Sequence, residues 1–300
     1  VEPTYSTFTN RVIDFNPNPA GTSGTATFQV DFTQTGGVPA YDTRLFVNYP
    51  GAIDYELVSI TVGSNTYTIG NLPPDIAAIV GPTGAAVQFD KIDVGTHVQV
   101  VYRAVLPTLQ PIQPTDTTLT WTSLPETFTG WGGDTVGTDG AVDGERVGTG
   151  QGTNTYILRA AAGLGQVEGV LWNDTFTATS DPRPELGAPT LAGQTVLLTW
   201  AGLDNDLSTT TDNRVFSTIT DAGGFYRFSL LPSAVFRFTM PTRPLTHTNA
   251  PAAGLMDVPI DTDGGVLGQV NFTIDTSTVA GTTTGVARNA RRRLSSILFA

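Results

Sequence analysis

The chain of 300 residues has no cysteine, one lysine (Lys91) and two histidines, His97 and His247. The missing cysteine excludes disulfides, thiolate chemistry and cysteine-ligated metal sites. One lysine leaves almost no amine nucleophiles, and two histidines leave few general bases. His97 falls inside an alternating run and His247 in a Thr- and Pro-rich segment. There is no G-x-S-x-G nucleophile turn and no H-E-x-x-H metal pair. No two carboxylates stand out as a pair for glycoside hydrolysis. An enzyme is therefore not expected. Long apolar runs are also missing, so no membrane-spanning helix is expected.

Charged residues are scarce at 14%, and acids outnumber bases, giving a net charge of −12. That balance argues against nucleic acid, whose phosphates it would repel. It is compatible with divalent cations or simply with solubility. What the chain has in quantity is glycine (33), proline (20), threonine and valine, a mixture that favours strands and turns. With 39% hydrophobic residues, 300 positions suffice for two domains with real cores. The first residue is Val1 rather than Met, so processing or excision from a longer chain is expected.

Along the chain, short alternating runs recur between turn signals: Thr25 to Gln34, Asp42 to Pro50, Tyr55 to Ser64, Ala85 to Gly95 and Thr96 to Pro107. Period-two alternation at this spacing predicts an antiparallel β-sandwich. A Gly/Asp/Thr-rich stretch over 122–154 then leads to a final strand near Thr155 to Ala160. It reads either as a mobile insertion or as an ordered contact or ion-binding loop using Asp134, Asp139, Asp143 and Glu145. A second set begins near Gly163, with "GQVEGVLWND", "GQTVLLTWAG", "NRVFSTITD" and a closing strand at Gly265 to Asp275. Between these, "FYRFSLLPSAVFRFTM" reads as two strands joined by a short turn, a hairpin. Its alternation places Tyr226, Phe228 and Leu230 inward on one strand, and Phe236 and Phe238 inward on the next.

The expected fold is therefore all-β, two tandem antiparallel β-sandwich domains. The first, immunoglobulin-like, covers 1–162 and includes the long loop. The second covers 163–286. Residues 287–300 form a basic and then apolar tail.

The residues "GVLWND" (Gly169 to Asp174), "LAGQTVLLTWAG" (Leu191 to Gly202) and "NRVFSTITDAGGFYRFSLLPS" (Asn213 to Ser233) occur in the order found in SdrD B-like domains. The second half resembles that family, a relative of Cna-B domains. The resemblance implies a small transthyretin-like β-sandwich of bacterial surface proteins. The first half, through "AYDTRLFVNYP", "YELVSITVGSNTYTIG", "VGTHVQVVYRAVL" and "LTWTSLP", resembles a conserved repeat domain of unknown function. That repeat belongs to long bacterial and archaeal envelope proteins. SdrD B-like domains often bind calcium in the loop after the first tryptophan. By that resemblance Asp174, Asp181 and Glu185 are candidate calcium ligands, while Phe176, Thr177 and Ala178 depart from the usual Asn, Asp and Gly. Calcium is the one cofactor considered. A second acidic loop holds Asp204, Asp206 and Asp212, for which solvated turn residues are the simpler expectation.

Some Cna-B domains close an internal Lys–Asn isopeptide bond. Here the early strand "TFTNRVIDF" offers Asn10 and Arg11 where a lysine would be needed. Arginine stays protonated and cannot act as the amine nucleophile. Lys91, between Asp90 and Asp93, reads as a solvated surface lysine.

Of the four tryptophans, Trp121, Trp172 and Trp200 sit in strand-like runs, where core packing is the default. Trp131 lies in "TGWGGD" and is the candidate for ligand or partner contact. Asn173 and Asn271 head formal glycosylation sequons. In the tail, Arg291, Arg292 and Arg293 precede Leu294, Ile297, Leu298 and Phe299. A basic cluster followed by a strand-like apolar run suits addition to a sheet edge, as an assembly element. The alternatives are that it completes the second domain or begins another. The expected function is a structural subunit or repeat segment of an extracellular fibre, sheath or surface layer at the cell surface, with itself as partner in a homo-oligomer or polymer. The alternative is an adhesin module binding a host, neighbour-cell or glycan ligand.

Overall fold

The structure, a computed structural model, describes residues 3–17, 21–108, 115–122, 156–170, 190–240 and 268–274; at 170, 240 and 268–274 it describes the backbone alone. These residues form sixteen strands and no helix. They divide into two compact units. The first takes the described residues of Val1–Asp14, Thr25–Pro107 and Pro114–Ala162; the second takes those of Phe15–Gly24, Thr108–Gln113 and Gly163–Ala300.

The first unit is built on β1 (Tyr5–Phe15, whose last residue belongs to the second unit), β2 (Ser23–Gln34, whose first two residues belong to the second unit), β3 (Ala40–Asn48), β4 (Asp54–Val62), β5 (Asn65–Tyr67), β6 (Ile76–Gly81), β7 (Gly84–Ile92), β8 (His97–Pro107), β9 (Asp116–Thr122) and β10 (Tyr156–Ala160). They make two five-stranded sheets, ordered β1-β2-β8-β4-β5 and β10-β9-β3-β7-β6. Alternation decides which face is buried. On β8, Val98, Val100, Tyr102, Ala104 and Leu106 point inward, and on β2 Ala26, Phe28, Val30 and Phe32 do so. The Phe28 and Tyr102 rings stack at 4.9 Å within one sheet. Across the sandwich, Tyr5 meets Trp121 edge-on at 4.8 Å and Phe32 meets Phe89 at 6.2 Å. Such contacts join the two sheets beyond what area burial supplies.

The second unit holds β11 (Leu164–Val170), β12 (Thr195–Trp200), β13 (Arg214–Ile219), β14 (Phe225–Pro232), β15 (Ala234–Met240) and β16 (Gly268–Ile274). A two-stranded sheet pairs β11 with β14, and a four-stranded sheet runs β13-β12-β15-β16. Val196, Leu198 and Trp200 of β12 are buried with Phe236 and Phe238 of β15 and with Tyr226 and Phe228 of β14. Phe15 adds a ring to this core, 5.2 Å from Trp200 and 5.1 Å from Phe216. The Ser229 N–H donates to the Pro17 carbonyl at 2.9 Å.

The inward set expected on β14 and β15 is observed: Tyr226, Phe228, Leu230, Phe236 and Phe238 are all buried. The expected hairpin is not. β14 pairs with β11, whereas β15 pairs with β12 and β16, so the chain crosses from one sheet to the other at Ser233. The reason is visible in the burial of β14, where alternation stops and residues 228–232 are all buried. Leu230 takes a positive φ of 57°, and Pro232 has no N–H to give a hairpin ladder. A bend that turns both strand faces into the core makes a corner, not a hairpin.

Candidate functional site

Asn10 is a buried polar residue of the first unit with three side-chain partners. Its Nδ2 lies 2.7 Å from Thr117 Oγ1, 3.0 Å from Thr115 Oγ1 and 3.0 Å from Tyr102 Oη. The amide carries two hydrogens, so three oxygens share them. Thr115 Oγ1 also accepts from the Ala162 N–H at 2.8 Å, and the Thr115 N–H donates to the Ala162 carbonyl at 2.9 Å. The cluster thus links β1 and β8 of one sheet to β9 of the other, and to the segment after β10. Burial pushes the Tyr102 phenol above its ordinary range, against the hydrogen bonds of Asn10 and Thr117. Asn10 Oδ1 is buried with no hydrogen-bond partner among the described residues.

β1 is the early strand on which an isopeptide bond would need a lysine. Arg11 is exposed. Lys91 is at the surface, 2.7 Å from Asp93, whose hydrogen bond raises its pKa. No amine faces Asn10 among the described residues, and the arrangement joins the sheets by hydrogen bonds.

A second polar group lies on the outward face of the β2–β8 pair. Asp31 accepts from Gln29 Nε2 at 2.6 Å and from Gln99 Nε2 at 3.1 Å, and His97 Nε2 stands 3.3 Å from its Oδ1. The sequence placed His97 on a strand but gave no sign of Asp31, because the two are 66 positions apart.

In the second unit, the loop after β12 spends its acids on its own backbone. Asp204 Oδ1 accepts the Asp206 N–H, and Asp206 Oδ1 accepts both the N–H and the hydroxyl of Ser208. Those two bonds from Ser208 hold the Asp206 carboxyl below its ordinary pKa. Asp212 Oδ2 accepts the Leu203 N–H at 2.8 Å. Gly202 above it has φ +73°, and a Cβ there would run into the Asp212 carboxylate. Asx turns account for these acids, and no group of three or more metal-capable side chains occurs among the described residues.

Trp121 and Trp200 are buried, as core packing requires, and Trp121 Nε1 donates to the Pro3 carbonyl at 3.0 Å. Trp131, the calcium candidates Asp174, Asp181 and Glu185, and the loop acids Asp134, Asp139, Asp143 and Glu145 lie outside the described residues. So do Trp172, His247 and the assembly candidates Arg291, Arg292, Arg293, Leu294, Ile297, Leu298 and Phe299.

No family model matches the chain, and no curated protein sequence matches it significantly. Among solved structures, two domains of the major pilin SpaD from Corynebacterium diphtheriae align at 12% identity and a TM-score of 0.38, over 89% of this chain and 88% of that one. The 35 kDa C-terminal fragment of the major pilin GBS80 of Streptococcus agalactiae aligns at 11% identity and 0.41, over 96% and 97%. The Actinomyces fimbrial adhesin FimA aligns at 10% and 0.40, over 92% and 97%. At this level of likeness no residue role or activity carries across to this chain.

Proposed function

We propose that this chain is a structural subunit or repeat segment of an extracellular fibre, sheath or surface layer, built from copies of itself at the cell surface. The observation that supports it best is where the buried polar side chains go. Asn10, Thr115, Thr117 and Tyr102 tie strands of two sheets together. Tyr5 Oη pairs with Thr43 Oγ1 at 2.8 Å, from β1 to β3. Thr220 Oγ1 donates to the Leu191 carbonyl and accepts the Gln194 N–H. These groups stiffen β-sandwiches, which suits a building element. The resemblance of the second half to SdrD B-like domains, and of the first half to an envelope-protein repeat, points to the same class. We assign the chain no enzymatic activity.

Electron microscopy of the purified 300-residue protein tests this reading. Ordered filaments or lattices are expected. Monodisperse single particles at every concentration tried would overturn it in favour of an adhesin module.

A further inference from the structure

A sheet edge leaves half of its backbone N–H and C=O groups without a neighbouring strand, and natural proteins protect such edges with charge, proline, bulges or brevity. Most edges here follow that practice. β1 carries Arg11 and Asp14, β10 carries Arg159, β13 carries Arg214, and β5 is three residues long. β6 does not. Its sequence, IAAIVG, has no charge and no proline, and it pairs with β7 in unbroken register from Ile76↔Phe89 to Gly81↔Gly84. It is the last described strand of its sheet. Ile79, on its outward face, is 74% exposed, the highest value among the large apolar side chains.

The surroundings of this edge are polarised. Asp75 immediately precedes β6 and Asp90 lies beside it, its N–H donating to the Asp75 carbonyl at 3.0 Å. Both side chains are exposed, and neither forms an ion pair with a described residue. The edge is therefore a six-residue apolar strand with two carboxylates at its N-terminal end that form no ion pair among the described residues.

The sequence contains one segment of complementary pattern. Arg291, Arg292 and Arg293 are followed directly by "LSSILF", Leu294 to Phe299, six residues of strand-like character. We propose that β6 accepts residues 294–299 of a second copy as an added parallel strand, with Arg291 to Arg293 meeting Asp75 and Asp90. The polarity of the edge sets the direction. A parallel strand brings the arginines to the acidic end, while an antiparallel one carries them to the Gly81 end. Backbone hydrogen bonds would supply the affinity and the alternating side chains the specificity. This inference rests on the fibre reading and names its contact.

The absence of cysteine makes the test direct. Two full-length variants, Ala77→Cys and Ser295→Cys, are prepared separately, mixed under assembly conditions, and joined by oxidation or a short bis-maleimide. The expected product is a covalent dimer containing one chain of each kind, resolved by mass spectrometry. Asp75→Arg with Asp90→Arg should reduce that dimer at least ten-fold. Reversal of Arg291, Arg292 and Arg293 to Asp in the partner should restore it. Filaments that form without the mixed dimer would overturn this contact and leave the fibre reading standing. No filaments and no dimer would overturn both. With Ala77→Cys and Ser295→Cys combined in one chain, a cross-link confined within single chains would show that the segment serves its own chain and overturn the second-copy assignment.

Discussion

Asn10 on β1 and Thr117 on β9 are 107 positions apart in sequence, yet their side chains lie 2.7 Å from each other across the sandwich. Asn10→Ala removes the only amide from that cluster and leaves buried hydroxyls short of a partner. The expected loss is about 1–3 kcal/mol of stability. Denaturant melts of Asn10→Ala, Thr117→Val and the double variant check it. The double variant should lose less than the sum of the singles, since both remove the same bond.

Phe15 sits at the end of β1 but packs on Trp200, Phe216 and Phe236. Phe15→Ala should destabilise the second unit by about 3–5 kcal/mol, as should Phe228→Ala from within its core. Amide exchange should accelerate on β12 and β15 in the Phe15 variant. If only amides of β2 and β8 respond, the ring is assigned to the wrong core.

Gly202→Ala combines a left-handed backbone with a Cβ aimed at Asp212. The change should cost about 1 kcal/mol or more. Asp212→Ala in the same background should recover part of the loss by removing the collision. A neutral outcome for Gly202→Ala in thermal melts would show that the loop adapts.

Tyr5, Tyr102 and Tyr226 are buried phenols whose pKa values are raised above the ordinary 10.0, by desolvation first in each case. A raised value means that the folded chain keeps protons that the unfolded chain releases above about pH 10. Their stabilising contribution is therefore complete below that pH and is lost progressively as the pH rises beyond it. Phenolate absorbance from these three should appear only together with loss of the β circular dichroism signal.

Local pattern carried much of the fold. Alternation in Thr96 to Pro107 shows in advance which side chains of β8 face inward, because pleat geometry is a property of one strand alone. It does not show which strand lies alongside. Phe225–Pro232 and Ala234–Met240 look the same in sequence whether they form a hairpin or a corner, and here they turn a corner between sheets. β6 escaped notice because Ile76–Gly81 is short, lacks polar alternation and sits between two proline-containing turns. The Asn10 cluster was invisible for another reason. Asn10, Thr115 and Thr117 each resemble a solvent-facing strand residue, and only contacts across about a hundred positions reveal them as interior. The acidic loop was easier, since Asp204 and Asp206 at turn positions are ordinary Asx-turn formers.

Each unit is assembled from three separate stretches of chain. During synthesis, Phe15 emerges long before Trp200 and Phe236, so its apolar ring waits for about two hundred residues of translation. β9 similarly waits for β10, which follows it after 33 intervening positions. Contacts of such sequence separation carry a large loop-closure cost and slow the approach to the native state. The nascent chain therefore exposes unpaired strands for longer than a row of contiguous domains would, and its yield should depend on folding helpers and on the rate of elongation.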